Sequence, residues 1–268
     1  MKTPPFFLFI IIVWMVVSCS RSEVPCAPIQ PTWNGKRPVD SYNYPVRPGM
    51  PEWANLKTGA EQEAACQVPK NILENMTTQA IVQSILEHPL FTFFLFTTEY
   101  YKAVFDDQLY RNNACMELLL RKDGGKSLLE RYILSDPLSE LTSVLKFESQ
   151  MLELFLTQTV FLSQLNDCEK KEIVKTAFNK YDVRHKEWYD PNQSDLYLDK
   201  SNFTVTLLIG NVIHAANYTR FCNEVEKNDE LRAFLVGKYS TNLGYFYSSK
   251  AKTLIPMILD FGKSYLKK

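Results

Sequence analysis

The sequence predicts an all-helical domain, and three observations support this prediction. From about residue 51 the chain carries repeated helix-start signals, such as Thr58 followed three residues later by Glu61. Apolar residues recur there at helical spacing, most clearly along residues 173–181. Alternating apolar and polar runs, which are typical of strands, are nearly absent. We therefore expect residues 51–268 to form a single helical domain.

The N-terminal residues predict a signal peptide that is removed from the mature protein. Lys2 precedes an apolar run over residues 6–17, which is shorter than the roughly 20 residues of a membrane span but suits the core of a secretory signal. The run ends in Val-Val-Ser-Cys, which resembles the bacterial lipobox. This resemblance implies cleavage after residue 18 and attachment of lipid to Cys19. The alternative is an uncleaved anchor helix in which Cys19 is an ordinary thiol.

Residues 19–50 are expected to form a lipidated, proline-rich tether. Prolines recur through this segment, and each one fixes its backbone and cannot donate a hydrogen bond to a helix or a sheet. Its aromatic residues, which include Trp33 and Tyr44, favour packing of part of the tether along the domain. We expect this packed part to begin at about Asn43.

Helix starts and apolar stripes can be assigned in order along the domain. Pro69 is placed to open a helix, and Thr77, Asp123 and either Asn166 or Asp167 are suited to cap others. Near the C-terminus, a helix that starts after Thr253 would place Pro256 in its first turn, where proline is tolerated. The segment "SNFTVTLLIGNVIHAANY" alternates at its start like a strand. We interpret it as a buried helix, because a lone strand would have no partner.

Helices of this length with short connections suggest antiparallel helix pairs. Such pairs stack in HEAT-like α-solenoids, although no position-by-position repeat is present in this sequence. A compact, irregular helical domain is the alternative.

Composition excludes several classes of partner and site. The chain has 30 basic and 30 acidic residues, and removal of residues 1–18 takes away only Lys2, which leaves a net charge of −1. This balance gives no basic surface for nucleic acid. Without Cys19, five widely spaced cysteines remain, and this odd number is not typical of a disulfide framework. We expect four of them to be small buried apolar side chains on helices: Cys66, Cys115, Cys168 and Cys222.

No motif for a cofactor, a metal or catalysis is found. The histidines lie far apart and form no HExxH pattern, and no P-loop, GxGxxG or GxSxG sequence occurs. We interpret the spacing of His214 and Cys222 as packing. No catalytic residue is therefore assigned, and no metal or cofactor is expected.

Three longer stretches resemble exported helical proteins of gut Bacteroidales to which no activity is assigned. They are residues 42–91, which contain "PGMPEW", and the stretches "LLRKDGGKSLLERY" and "GNVIHAANYTRF". The resemblance implies a lipoprotein or secreted helical domain and transfers no catalytic residue. An anchored protein of such a bacterium would lie in the cell envelope, with the outer membrane favoured.

The segment "WYDPNQSDLYLDKSNF" is the strongest candidate for a binding site. Trp188, Tyr189 and Tyr197 lie among turn residues, carboxylates and amides, a combination that suits a protein or polysaccharide partner because aromatic rings stack on sugars. The alternative is a loop whose rings pack onto the helices.

Two functions follow from these observations. The first is a membrane-anchored module that binds or scaffolds an envelope protein or glycan. The second is a glycan-directed envelope hydrolase with a dispersed carboxylate site that would involve Glu187, Asp190 or Asp195.

Overall fold

The protein is all-helical throughout the part of the chain that the computed structural model describes. That part comprises residues 26–90, 105–106, 109–136, 148–188, 199–237 and 251–268. No residue in these ranges belongs to a strand, which confirms the predicted all-α class. The helices are α1 (Pro51–Ala54), α2 (Gly59–Ala65), α3 (Lys70–Leu73), α4 (Thr78–Leu86), α5 (Asn113–Leu120), α6 (Gly124–Leu134), α7 (Glu148–Leu156), α8 (Thr159–Leu162), α9 (Asp167–Trp188), α10 (Asp199–Ala215), α11 (Thr219–Lys227), α12 (Asp229–Leu235) and α13 (Ala251–Leu266).

Two of the predicted helix starts have the expected side-chain caps. Thr58 and Glu61 form a complete capping box at the start of α2. The Thr77 hydroxyl accepts a hydrogen bond from the backbone N–H of Ala80 in α4. Such caps satisfy backbone donors that a helix leaves without partners in its first turn.

The start of α9 is also capped, by the first of the two predicted residues. Asn166 Oδ1 accepts from the Glu169 backbone N–H (2.9 Å), and the Glu169 carboxylate accepts from the Asn166 N–H (2.8 Å). This reciprocal pair fixes where the longest described helix begins.

Asp123 precedes α6 as predicted, but its side chain does not cap that helix. Its carboxylate instead accepts a hydrogen bond from the Thr78 hydroxyl at 2.8 Å. The residue therefore connects the starts of α6 and α4, a tertiary contact that local sequence does not reveal.

Pro256 lies deeper in its helix than predicted. α13 begins at Ala251, so Pro256 is an interior residue rather than one of the first turn. Its ring leaves the carbonyl of Lys252 without the usual hydrogen bond from four residues ahead. Ile258 and Leu259, which follow the proline, are buried in the core.

Helix α10 lies at the centre of the domain, where it packs against α7, α9, α12 and α13. Residues 203–209 are all buried, which confirms that this ambiguous segment is a buried helix. A Cβ atom at Gly210 would lie 2.6 Å from Leu235 Cδ2. The glycine thus permits close approach of α10 and α12.

The predicted solenoid is not confirmed. In a solenoid each repeat contacts its sequence neighbours, whereas α10 contacts helices from before and after it that are distant in sequence. A central helix surrounded by others fits the compact, irregular domain better.

The residues before α1 pack onto the domain from an earlier point than predicted. Within residues 26–50, which we call the N-terminal strap, Trp33 and Tyr44 are both buried. The Tyr42 backbone N–H donates to Ser84 Oγ (2.8 Å), and the Tyr44 hydroxyl donates to the Ser84 carbonyl oxygen (3.1 Å). Packing thus begins before Asn43, because proline-rich backbone can still bury its aromatic side chains.

Candidate functional site

The residues proposed from sequence as a binding site lie almost wholly outside the described part of the chain. Tyr189 and Tyr197 fall outside it, as does the lipidation candidate Cys19. Trp188 is the last residue of α9, and its side chain is also outside the described part. The same holds for the carboxylates of Glu187, Asp190 and Asp195. These assignments stay predictions.

A fully buried ion pair involves α9 about one helical turn before Trp188. Arg184 of α9 and Glu153 of α7 are both 0% exposed, and Arg184 Nη2 lies 3.1 Å from Glu153 Oε1. The Tyr132 hydroxyl donates to Oε1 (3.1 Å), and the Thr204 hydroxyl donates to Oε2 (2.5 Å). Four helices therefore meet at one carboxylate.

This arrangement satisfies a charge that would otherwise be very costly to bury. An unpaired carboxylate in the interior loses several kcal/mol or more of hydration, whereas one with a cation and two hydroxyl donors is compensated. Burial, followed by the nearby Glu153 charge, raises the pKa of Tyr132 well above its usual value. The phenol thus stays protonated and remains a donor.

Lys180 lies one turn before Arg184 in α9, and its ammonium hydrogen-bonds to the C-terminal end of α6. Its ammonium donates to the backbone oxygen of Ser135 and, at 3.1 Å, to the Ser135 hydroxyl. Ser135 is the C-cap of α6, so the cation complements the negative end of that helix. The ammonium also lies 4.9 Å from the ring centroid of Tyr132.

A serine beside a lysine can form a nucleophile and its base, but the contacts here favour a structural role. Burial lowers the pKa of Lys180 to about 8. The Ser135 hydroxyl, however, donates to the Tyr132 carbonyl oxygen at 2.9 Å, and both side chains are buried. Because the Ser135 hydroxyl donates its proton to a backbone carbonyl at the end of α6, we assign no catalytic role to Ser135 and Lys180.

A second ion pair, between the partly buried Arg131 and the buried Glu148, connects α6, α7 and the strap. Arg131 Nε lies 2.6 Å from Glu148 Oε1, and the Arg131 guanidinium lies 5.3 Å from the Trp33 ring centroid. Burial raises the pKa of Glu148, and Arg131 acts in the opposite direction. The neighbouring Glu130 accepts hydrogen bonds from the Thr32 hydroxyl (2.8 Å) and from the backbone N–H of Trp33 (3.2 Å).

The strap is also held covalently, by a disulfide between Cys26 and Cys168. The two Cα atoms are 5.4 Å apart, and the residues are separated by 142 positions. The prediction that Cys168 is a buried, unpaired side chain is therefore wrong. No local motif signals this bond, because its partners are distant in sequence and are brought together only by the tertiary fold.

The remaining described cysteines lack the features of reactive nucleophiles. Cys66 and Cys115 are free and buried, as predicted, and burial raises the pKa of Cys66 to about 11. Cys222, which is only partly buried, lies 3.9 Å from the backbone oxygen of His214. Cys222 is therefore less buried than predicted, although its contact with the His214 backbone fits the predicted packing.

Neither a metal site nor a membrane-spanning helix is found among the described residues. No group of three histidine, cysteine, aspartate or glutamate side chains there could hold a metal ion. No helix of that part of the chain is both long and apolar enough to cross a bilayer.

Comparison of the chain with protein-family models, curated proteins and solved structures finds no match. Any functional assignment must therefore come from the residues themselves. In the described part, the buried ionisable groups stabilise contacts between helices and hold the strap. The groups around Lys180 and Arg184 also fix the second half of α9, at whose end the predicted aromatic segment begins.

Proposed function

We propose that this protein is a lipid-anchored lipoprotein of the bacterial cell envelope whose helical domain binds an envelope protein or a polysaccharide. Cys19 is the lipidation site, and the outer membrane is the favoured location. The observation that carries the proposal is the Cys26–Cys168 disulfide, considered together with the lipobox-like sequence that ends at Cys19.

The disulfide supports export. Such bonds form and persist in oxidising compartments and are rare in the reducing cytosol. This support is independent of the signal sequence, because it comes from the packing of residues 26–33 onto the domain. The resemblance to exported Bacteroidales proteins points to the same location.

The ion pairs and hydrogen bonds of the described carboxylates favour a binding function over hydrolysis. The glutamates that are buried most deeply, Glu130, Glu148 and Glu153, pair with arginines or accept hydrogen bonds from side chains and backbone. A hydrolase needs two carboxylates that face each other across an accessible cleft. The hydrolase proposed from Glu187, Asp190 and Asp195 stays an alternative, because these carboxylates lie outside the described part of the chain.

The binding surface that we propose consists of Trp188, Tyr189 and Tyr197. It is supported by the rigid base on which the segment starts, because contacts fix Lys180 about two turns and Arg184 about one turn before the end of α9. A binding site is better defined when rigid elements hold its residues. Tryptophan and tyrosine are enriched among the few residues that dominate the binding energy of protein interfaces.

Alanine substitution of all three aromatic residues tests the binding surface. We expect the triple variant to lose retention of envelope polysaccharide in affinity gels, or capture of a protein partner from envelope extract. Tyr110→Ala is the matched control, because Tyr110 is a highly exposed aromatic residue elsewhere. Circular dichroism should show unchanged helix content in both variants. Equal binding by the triple variant and the wild type, or unfolding of the triple variant alone, would contradict the site.

A further inference from the structure

We propose that the N-terminal end of α9 is the membrane-facing surface of the domain and that its partner is the headgroup layer of the anchoring bilayer. This proposal rests on the lipidation of Cys19 proposed above. It follows from the position of the disulfide, which joins the strap to Cys168, the second residue of α9.

The chain between the anchor and the disulfide is short. Seven peptide units separate Cys19 from Cys26, and they span at most about 25 Å when fully extended. The Cα atoms of Cys26 and Cys168 are 5.4 Å apart. The start of α9 therefore stays within about 30 Å of the lipidated residue, whatever the conformation of the connection.

The disulfide both shortens the connection and determines where it ends. Without it, the first strap residue buried in the core is Trp33, and fourteen extended residues reach about 50 Å. Ile29 packs only partly against the core. A tether that was predicted to extend to residue 50 is thus reduced to the few residues before Cys26.

The surface at this end suits contact with headgroups rather than insertion into hydrocarbon. Ser163, Asn166 and Asp167 are exposed and polar. The end of α13 lies nearby, because α9 and α13 pack against each other and the charge of Asp167 acts on Tyr265 near the end of α13. Lys170 and Lys171 lie near the start of α9 among the acidic Asp167, Glu169 and Glu172, and Lys267 and Lys268 follow the end of α13. Polar and basic side chains interact favourably with phosphate-bearing headgroups.

The other end of α9 faces away from the anchor in this arrangement. The helix has 22 residues, and its ends are therefore about 32 Å apart. Trp188 is the last of these residues. The aromatic segment proposed to bind a partner thus begins at the end of α9 that lies far from the disulfide.

The orientation can be measured on the mature, full-length protein placed in vesicles of phosphatidylethanolamine and phosphatidylglycerol. A fluorescent amino acid is introduced at Ser163, beside the start of α9, or at Lys186, near its end. Both positions are exposed. Lipids with a quencher on the headgroup should quench the label at position 163 at least about twofold more than the label at 186, because most of the length of α9 separates them.

A variant without the disulfide is the matched control. In Cys26→Ser/Cys168→Ser the connection is longer, so the difference in quenching between the two labels should decrease. Equal quenching of both labels in the disulfide-bonded, acylated protein would overturn the proposed orientation and leave the lipid anchor intact. Mass spectrometry that shows no acyl group on Cys19 would overturn the anchor itself, and the orientation with it.

Discussion

The ion pair between Arg184 and Glu153 shows how a single buried charge organises contacts among several helices. Both side chains are fully buried, and the hydroxyls of Tyr132 and Thr204 complete the shell of donors around the carboxylate. Sequence reasoning did not identify this pair. Arg184 belongs to a helix rich in charged residues, and nothing in the local pattern distinguishes it from a solvated arginine.

Removal of the cation alone should be strongly destabilising. We expect Arg184→Met to lower the free energy of unfolding by about 3–5 kcal/mol, because it leaves the Glu153 carboxylate buried without its counter-ion. The double variant Arg184→Met/Glu153→Gln should be more stable than Arg184→Met, since glutamine removes the unpaired charge. Its carbonyl oxygen can still accept from one of the two hydroxyls, and its amide N–H can donate to the oxygen of the other. Urea denaturation of both variants measures this. A double variant that is less stable than Arg184→Met would contradict the assigned role of the pair.

His88 should make stability depend on pH in the acid range. Its ring packs edge-on against Tyr44, with centroids 5.4 Å apart, and burial lowers its pKa from 6.5 to about 4. Between these pH values the unfolded chain binds a proton that the folded protein does not. Stability therefore falls as pH decreases from 6.5 towards 4, by up to about 3 kcal/mol.

The contribution of His88 can be isolated by substitution. Wild type and His88→Gln are compared by urea denaturation at several pH values from 7 to 4. The variant should lose less stability on acidification, because it lacks the titrating ring. Parallel pH profiles for the two proteins would show that His88 is not responsible.

At the scale of elements, local sequence predicted helix starts better than it predicted the contacts of the strap. Thr58 and Thr77 cap helices as expected because a cap involves only residues within one turn. The buried position of Trp33 and the pairing of Cys26 with Cys168 depend on α6 and α9, which are distant in sequence. Periodicity and spacing within one segment do not contain that information.

The disulfide should stabilise the folded protein measurably. It closes a loop of 142 residues, and restriction of the unfolded chain by a disulfide contributes about 2–5 kcal/mol, with the upper end of this range expected for so long a loop. Cys26→Ser/Cys168→Ser should be less stable than the oxidised wild type by this amount. Treatment with a reductant should destabilise the wild type and leave the variant unchanged. Equal sensitivity of both proteins to the reductant would argue against the bond.

At the scale of the whole molecule, the helical class followed from periodicity, whereas the arrangement of helices did not. A buried helix such as α10 is recognisable from its run of apolar residues, but that run does not show which helices surround it. The predicted aromatic site, which includes Trp188, is untested by the described contacts. What supports the proposed function is the disulfide that holds the strap together with the predicted signal sequence of residues 1–18.

The central claim is that an acylated Cys19 anchors this domain at a membrane. Intact-mass and peptide mass spectrometry of the mature protein, purified from the cell envelope without reductant, tests it most directly. We predict that the protein begins at Cys19, that this residue carries the acyl chains, and that Cys26 and Cys168 are recovered in one disulfide-linked pair of peptides. A mature chain that retains residues before Cys19, or one whose Cys19 is unmodified, would contradict the claim.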